Sequence, residues 1–132
     1  MNASYQGDTN QVNELQVAVW KDDDWEPLAL DIRSPGFLLF INGLFSCQHL
    51  YMRTNSAERD IILRTAVGEM TVVAGENWDI QNVSIDFTAT LFSGSPTKKD
   101  IAYITERMTH CPVSSNLPDK LVIENSVKFI AS

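Results

Sequence analysis

The segment from Ser34 to Met52 constrains the fold of this 132-residue chain more than any other stretch. Ser34 and Pro35 predict a helix start, with serine as the N-cap and proline in the first turn. A helix that is apolar on every side has to be covered on every side. Burial of each large apolar side chain contributes about 1.5–3 kcal/mol, so we expect the rest of the chain to pack around this helix. Seven such side chains leave the predicted helix without a polar face: Phe37, Leu38, Leu39, Phe40, Ile41, Leu44 and Phe45.

Composition and charge argue against several classes of partner. The net charge is −7 and there is no run of Lys or Arg, which argues against nucleic acid and against an anionic membrane surface. The longest strongly apolar run, Phe37 to Ile41, is too short to span a bilayer. The first residues lack the basic and apolar regions of a signal peptide, so a cytoplasmic location is the default expectation. Two cysteines in a reducing compartment are more often free or redox-active than structural.

Alternation of apolar and polar residues predicts strands before and after the helix. Residues 1–12 show no such alternation and are predicted to be a flexible lead-in to a single domain of residues 1–132. The clearest alternation lies in Val83 to Phe92 and indicates one buried and one wet face, which suits an antiparallel sheet. The other predicted strands are Glu14 to Lys21, Glu26 to Ile32, Met70 to Ala74 and Leu121 to Ile130, with a turn at Asp22 to Asp24.

A second helix is predicted after the strand Val83 to Phe92. Thr97 and Asp100 resemble a capping box, and Pro112 disfavours helical geometry at Cys111. The segment Asn55 to Ala66 fits either a second helical segment or a loop that leads into a strand. The whole pattern predicts an α+β fold in which an antiparallel sheet packs on a buried central helix. One sheet covers one side of that helix, so we predict a homodimer in which a second copy covers the other side.

Two cysteines carry the candidate chemistry. Cys47 lies inside the central helix, and a buried, inert thiol is the simplest interpretation of it. Cys111 takes the N-cap place before Pro112, where a helix end stabilises a thiolate by about 0.3–1 kcal/mol. Lowering a thiol pKa from about 8.5 to about 6.5 requires about 2.7 kcal/mol, so a nearby cation such as Arg107 would also be needed.

The histidines near the cysteines do not complete a recognised metal site. His49 and His110 flank the two cysteines, but neither C-x₂-C nor H-x₃-H spacing is present. No metal and no other cofactor is therefore expected. Nucleophilic catalysis by a Cys–His pair stays open at this point.

Three features of the chain resemble the OsmC/Ohr family. Ser34-Pro35 leads into an apolar helix that carries Cys47, and Glu106 to Leu117, ERMTHCPVSSNL, contains the CPVS motif of the second cysteine. The 64-residue separation of Cys47 and Cys111 also fits, and the similarity covers about Leu15 to Ile130. The resemblance implies an intertwined homodimer with its central helices between two antiparallel sheets. It also implies a thiol peroxidase for organic hydroperoxides, in which Cys47 attacks the peroxide, Cys111 resolves the product and a thiol reductant restores both.

The groups with which the family activates its thiolate are not at the matching positions. Active members carry a Glu shortly after the proline, where this chain has Gly36, Phe37 and Leu38. They also carry an Arg in the N-terminal strands, whereas no Arg precedes Arg33 here. A replacement cation would have to lie within about 4–6 Å of the Cys47 sulfur. The partner's Arg33 is the first candidate, and Arg107 and Arg53 follow.

A binding protein without catalysis is the alternative hypothesis. An apolar pocket near the dimer interface would then hold a small acyl or aromatic ligand. A redox-sensor or structural role is a third hypothesis. Loss of free thiols on mixing with an organic hydroperoxide would separate the redox hypotheses from the binding one. The predicted pocket residues are Phe37, Phe40, Leu44 and Phe45.

Overall fold

A five-stranded sheet and one long helix form the core of the computed structural model, which describes residues 1–131. The strand order is β2-β1-β5-β6-β7, and every neighbouring pair is antiparallel except β6 and β7. This antiparallel-dominated α+β arrangement confirms the predicted fold class. The strands are β1 Asn2–Gln6, β2 Gln11–Gln16, β5 Ile62–Ala74, β6 Ile80–Ser93 and β7 Val122–Ile130. A separate hairpin consists of β3 Ala18–Lys21 and β4 Asp24–Pro27.

The central helix, α1, runs from Gly36 to Glu58 and is longer than the sequence predicts. It includes the first four residues of the segment Asn55 to Ala66, where two polar side chains form hydrogen bonds within the helix. Asn55 and Ser56 donate to backbone carbonyls four residues earlier, at 2.7 and 2.6 Å. The predicted cap is wrong: Pro35 is the N-cap, no side chain caps this end, and the Ser34 hydroxyl accepts from the Asp31 N–H instead.

One chain buries α1 only from Leu44 onward and only on one side, because Leu50 beyond it is still 42% exposed. There the sheet and the second helix, α2 (Lys98–Met108), bury Leu44 and Met52 to 2% and 0% exposure. Towards the N-terminus of α1, Phe40 is 41% exposed. The all-round cover that an apolar helix needs is therefore incomplete in the single chain.

The first residues are a strand rather than the predicted flexible lead-in. β1 lies between β2 and β5. Its side chains at Ala3 and Tyr5 are buried, and the alternating residues Asn2, Ser4 and Gln6 are polar. The segment looks polar because every second side chain faces outward and the inward ones are few. The N-terminal ammonium of Met1 also donates to the Gly68 carbonyl at 2.9 Å.

The strands before the helix also differ from the prediction. The predicted strand Glu14 to Lys21 is interrupted at Val17, where the chain leaves the main sheet for the hairpin. The second predicted strand ends at Pro27, not at Ile32. Asp22 and Asp23 both have positive φ, as a tight two-residue hairpin turn requires, so the predicted turn is confirmed.

The second half of the chain follows the prediction more closely. The Thr97–Asp100 capping box is formed at the start of α2, and Cys111 caps the short helix α3, Pro112–Ser115. β5 begins at Ile62, well before the predicted Met70. The sequence does not predict this start because irregular pairing near Leu63 breaks the alternation. Within residues 1–131 we find no helix with the length and apolar character needed to cross a bilayer.

Candidate functional site

The fold brings the two cysteines together. Cys47 is half-buried on α1, Cys111 is fully buried at the start of α3, and both are free thiols. Cys111 acts directly on the pKa of the Cys47 thiol, so the two thiols are neighbours although 64 residues separate them. Contacts between α1 and α2 and between α1 and α3 create this approach. Two free thiols that lie close together can form a disulfide once their geometry allows it.

Gln48 fixes the position of the Cys111 sulfur. Its side-chain amide donates to that sulfur at 3.3 Å and to the Met108 carbonyl at 2.7 Å. Its carbonyl oxygen accepts from the Asn125 side chain at 3.4 Å. The Ser114 N–H donates to the same sulfur at 3.3 Å, as expected for an N-cap. Gln48 is fully buried, so these bonds replace those that its amide would make to water.

Sequence reasoning did not identify Gln48 as part of the site. The available signal was a glutamine directly after Cys47, within a segment that is otherwise strongly apolar. A buried amide has to find hydrogen-bond partners, so its neighbours were bound to be polar or backbone groups. The sequence could not show that one of these groups is the second cysteine.

The environment of Cys47 keeps its thiol protonated. Burial is the main cause that raises the pKa of Cys47 to about 11, followed by its hydrogen bond to Cys111. The Val113 N–H partly opposes this by donating to the sulfur, and the charge interaction with Cys111 adds to the increase. No basic side chain of residues 1–131 contributes to lowering the pKa.

The three candidate arginines lie elsewhere in this chain. Arg33 is exposed and pairs with Asp31 at 2.7 Å. Arg53 donates to the Asn10 carbonyl at 3.3 Å, and its charge acts on Tyr5 and His49 rather than on Cys47. Arg107 lies in the last turn of α2 with a buried Nε that has no hydrogen-bond partner within residues 1–131. The single chain therefore does not place any of the three as an ion-pair partner of the Cys47 sulfur.

Both histidines have partners other than the cysteines. His110 follows the C-terminal end of α2. Its Nε2 bonds to Glu106 Oε1 at 2.6 Å, and both side chains are exposed. His49 Nε2 bonds to the Tyr5 hydroxyl at 2.7 Å, and burial with the Arg53 charge lowers the pKa of His49 to about 4. Over residues 1–131, no group of three or more His, Cys, Asp and Glu side chains is placed to hold a metal ion.

The four predicted pocket residues do not surround one cavity in the single chain. Phe45 lines an apolar cavity of about 240 Å³, whereas Leu44 belongs to the core. Phe37 packs against Trp78 with ring centres 5.0 Å apart, and Phe40 faces solvent. Of these four residues, Phe45 is therefore the one that lines this cavity within residues 1–131.

Comparison with solved structures identifies the architecture. The chain resembles an OsmC-like protein from Mycoplasma pneumoniae with a TM-score of 0.57 and 13% identity, over 89% of this chain and 97% of that chain. The chain has the OsmC-like fold. It also resembles an OsmC-like protein of unknown function from Vibrio cholerae, with a TM-score of 0.56 and 16% identity over 66% of this chain and 60% of that one.

A third solved structure is also similar to the chain. A hypothetical protein from Aquifex aeolicus VF5 gives a TM-score of 0.62 at 12% identity, over 74% of this chain and 75% of that chain. No protein-family model and no curated protein sequence matches the chain. The OsmC-like fold confirms the predicted fold of the single chain, and the chemistry has to be argued from the residues themselves.

The raised pKa of Cys47 predicts the pH dependence of its reaction with an alkylating agent. A thiol with a pKa of about 11 gains thiolate throughout the range from pH 7 to 10. In protein dilute enough to sediment as a single chain, the rate of alkylation by iodoacetamide should therefore rise about tenfold for each pH unit in that range. The Cys47→Ser variant, which retains only the buried Cys111, should react far more slowly. A rate that levels off below pH 8 would contradict this description of Cys47.

Proposed function

We propose that this chain is a dithiol redox protein that reduces organic hydroperoxides through Cys47 and Cys111. The proximity of the two free thiols is the observation that carries the proposal: Cys111 acts on the pKa of Cys47, and Gln48, the residue after Cys47, donates to the Cys111 sulfur. A resolving thiol must reach the oxidised one before solvent or a second oxidant does. A pair that is already close in the reduced protein can meet this requirement without a large movement of the chain.

The proposed reaction consumes one hydroperoxide and two thiols. The Cys47 thiolate attacks the terminal oxygen of the hydroperoxide, the O–O bond breaks, and an alcohol leaves after taking up a proton. The Cys111 sulfur then attacks the Cys47 sulfur of the sulfenic acid and releases water as the disulfide forms. A thiol reductant returns the disulfide to two thiols by exchange.

Gln48 and Ser114 would support the second step. Both donate N–H groups to the Cys111 sulfur and hold it next to Cys47. The difference in exposure supports the assignment of roles, because Cys47 is half-buried and Cys111 is fully buried. The accessible thiol would meet the peroxide, and the buried one would act from within the protein.

Ionisation of Cys47 would limit the rate of the first step. At pH 7 a thiol with a pKa of about 11 is thiolate in about one molecule in ten thousand. Fast turnover therefore requires a cation that the single chain does not supply. The proposed source is a second copy of the chain, with the partner's Arg33 as the first candidate because residue 33 precedes the open end of α1.

A homodimer is part of this proposal, and its mass can be measured. The half-exposed N-terminal part of α1 supports an intertwined arrangement in which a second chain completes the cover. We expect sedimentation equilibrium at micromolar concentration to give about twice 14.8 kDa. Phe40→Lys should shift the population towards monomer, while Lys128→Glu on β7 should not. A monomeric, well-folded wild-type protein would rule out this arrangement.

Binding of an apolar ligand without redox chemistry is the second candidate function. The raised pKa of Cys47 and the cavity beside Phe45 both favour it. A thiol that stays protonated reacts slowly with peroxides, whereas an apolar cavity gains from binding an apolar molecule.

Thiol counting separates the two candidate functions. Reduced wild-type protein mixed with excess cumene hydroperoxide should lose both thiols and form an intramolecular disulfide. Cys47→Ser should keep its remaining thiol, because the attacking group is gone. Cys111→Ser should lose its thiol to a sulfenic acid that dimedone labels. Wild-type protein that keeps both thiols free would contradict the redox proposal and favour the binding candidate.

A further inference from the structure

A second side of α1, away from the cysteines, lines a cavity of its own. Asn42, Phe45, Ser46 and His49 follow the three- and four-residue spacing of one helix face. At about 100° per residue, Cys47 projects from the opposite side of the same helix. The cavity has a volume of about 240 Å³ and is partly open to solvent. The Met1 ammonium beside it donates to the Gly68 carbonyl, so it is already paired. The other walls come from side chains of the N-terminal part of the chain: Met1, Leu15, Val17, Leu28 and Leu30.

His49 brings a fixed polar group to this apolar cavity. The residue is only 6% exposed, and its Nε2 bonds to the buried Tyr5 hydroxyl at 2.7 Å. The Phe87 ring stacks on the imidazole at 5.9 Å between ring centres, so the ring cannot rotate freely. A phenolic O–H is a stronger donor than an imidazole N–H, so we assign Tyr5 as donor and place the ring hydrogen on Nδ1.

The Nδ1 atom is the ring nitrogen of His49 that does not bond to Tyr5. It has no hydrogen-bond partner within residues 1–131, and His49 is one of the few polar residues that line the cavity. Burial and the Arg53 charge keep the imidazole neutral at neutral pH, because they lower the pKa of His49 to about 4. A neutral donor in an apolar cavity favours a neutral acceptor, since burying a charged one is costly.

We propose that this cavity binds a small neutral molecule with an apolar body and one acceptor oxygen, such as a ketone or ester, which accepts a hydrogen bond from His49 Nδ1. The volume is smaller than the roughly 300–1,000 Å³ of sites for drug-sized ligands, so the ligand is small. The inference rests on the second candidate function, since this is the cavity beside Phe45, and it names the class of ligand there; binding at this site is independent of the proposed reaction of the cysteines. Tyr5 acts as a positioning residue, because its hydroxyl fixes the tautomer that donates.

A matched pair of probes tests the site. Acetophenone and ethylbenzene have nearly the same shape, but only acetophenone carries an acceptor oxygen. Titration of the ¹⁵N-labelled full chain should shift the amide signals of Leu28 and Ser46 with both probes. We expect acetophenone to bind about tenfold more tightly, and to move the His49 ring ¹⁵N signals, because it pairs a donor that ethylbenzene leaves unpaired.

Variants identify the group that discriminates between the probes. His49→Phe should bind both probes equally, and Cys47→Ser should keep the preference for acetophenone. If His49→Phe does not fold, Leu28→Trp at the partly exposed cavity wall tests whether the probes bind in this cavity, because it should weaken the binding of both. Equal binding of the two probes to the wild type would overturn the proposal. It would also be overturned if neither probe shifted these signals, as expected if a second copy of the chain fills the cavity.

Discussion

The packing of α1 against the sheet and α2 is the constraint on which the rest of the structure depends. Leu44 and Met52 are buried by this contact, and their helix spacing then fixes where every other residue of α1 points. Cys47 faces the start of α3, and His49 faces the cavity beside Phe45. One helix therefore carries two chemically different sites, and the packing of its buried side holds both in place.

Proximity and ionisation oppose each other in the cysteine pair. Burial of α1 brings the Cys47 thiol to the Cys111 sulfur, which favours disulfide formation. The same burial raises the pKa of Cys47 and removes thiolate at neutral pH. Gln48 stabilises the approach without adding a positive charge, since its amide is a neutral donor. In the proposed reaction, the single chain would favour resolution of an oxidised thiol, and the first attack would depend on a charge brought from outside it.

Local patterns explain which elements the sequence could predict. The apolar run of α1, the alternation of β6 and the Thr97–Asp100 box are each contained in a few neighbouring residues, and all three appear in the structure. β1 escaped prediction because a five-residue strand with two buried side chains has too little alternation to stand out. The bulge near Leu63 hid the start of β5 for a similar reason.

The site was harder to predict than the fold because its contacts join distant parts of the chain. The pairing of Cys47 with Cys111 was implied by the family resemblance and not by the pattern of the residues. The Gln48 bond to Cys111 and the Tyr5 bond to His49 span 63 and 44 positions, so no local spacing of residues predicts them. The pKa of Cys47 likewise depends on burial by elements far away in the sequence, so a motif alone could not supply it.

A redox titration against glutathione, with alkylation of the remaining thiols, tests the central claim most directly. If Cys47 and Cys111 form one dithiol–disulfide couple, both thiols disappear together along a single two-electron curve, and peptide mapping finds a bond between the two residues. If they are independent thiols, Cys47 forms a mixed disulfide with glutathione while Cys111 stays reduced. The first result is the one this account predicts, and the second would contradict it.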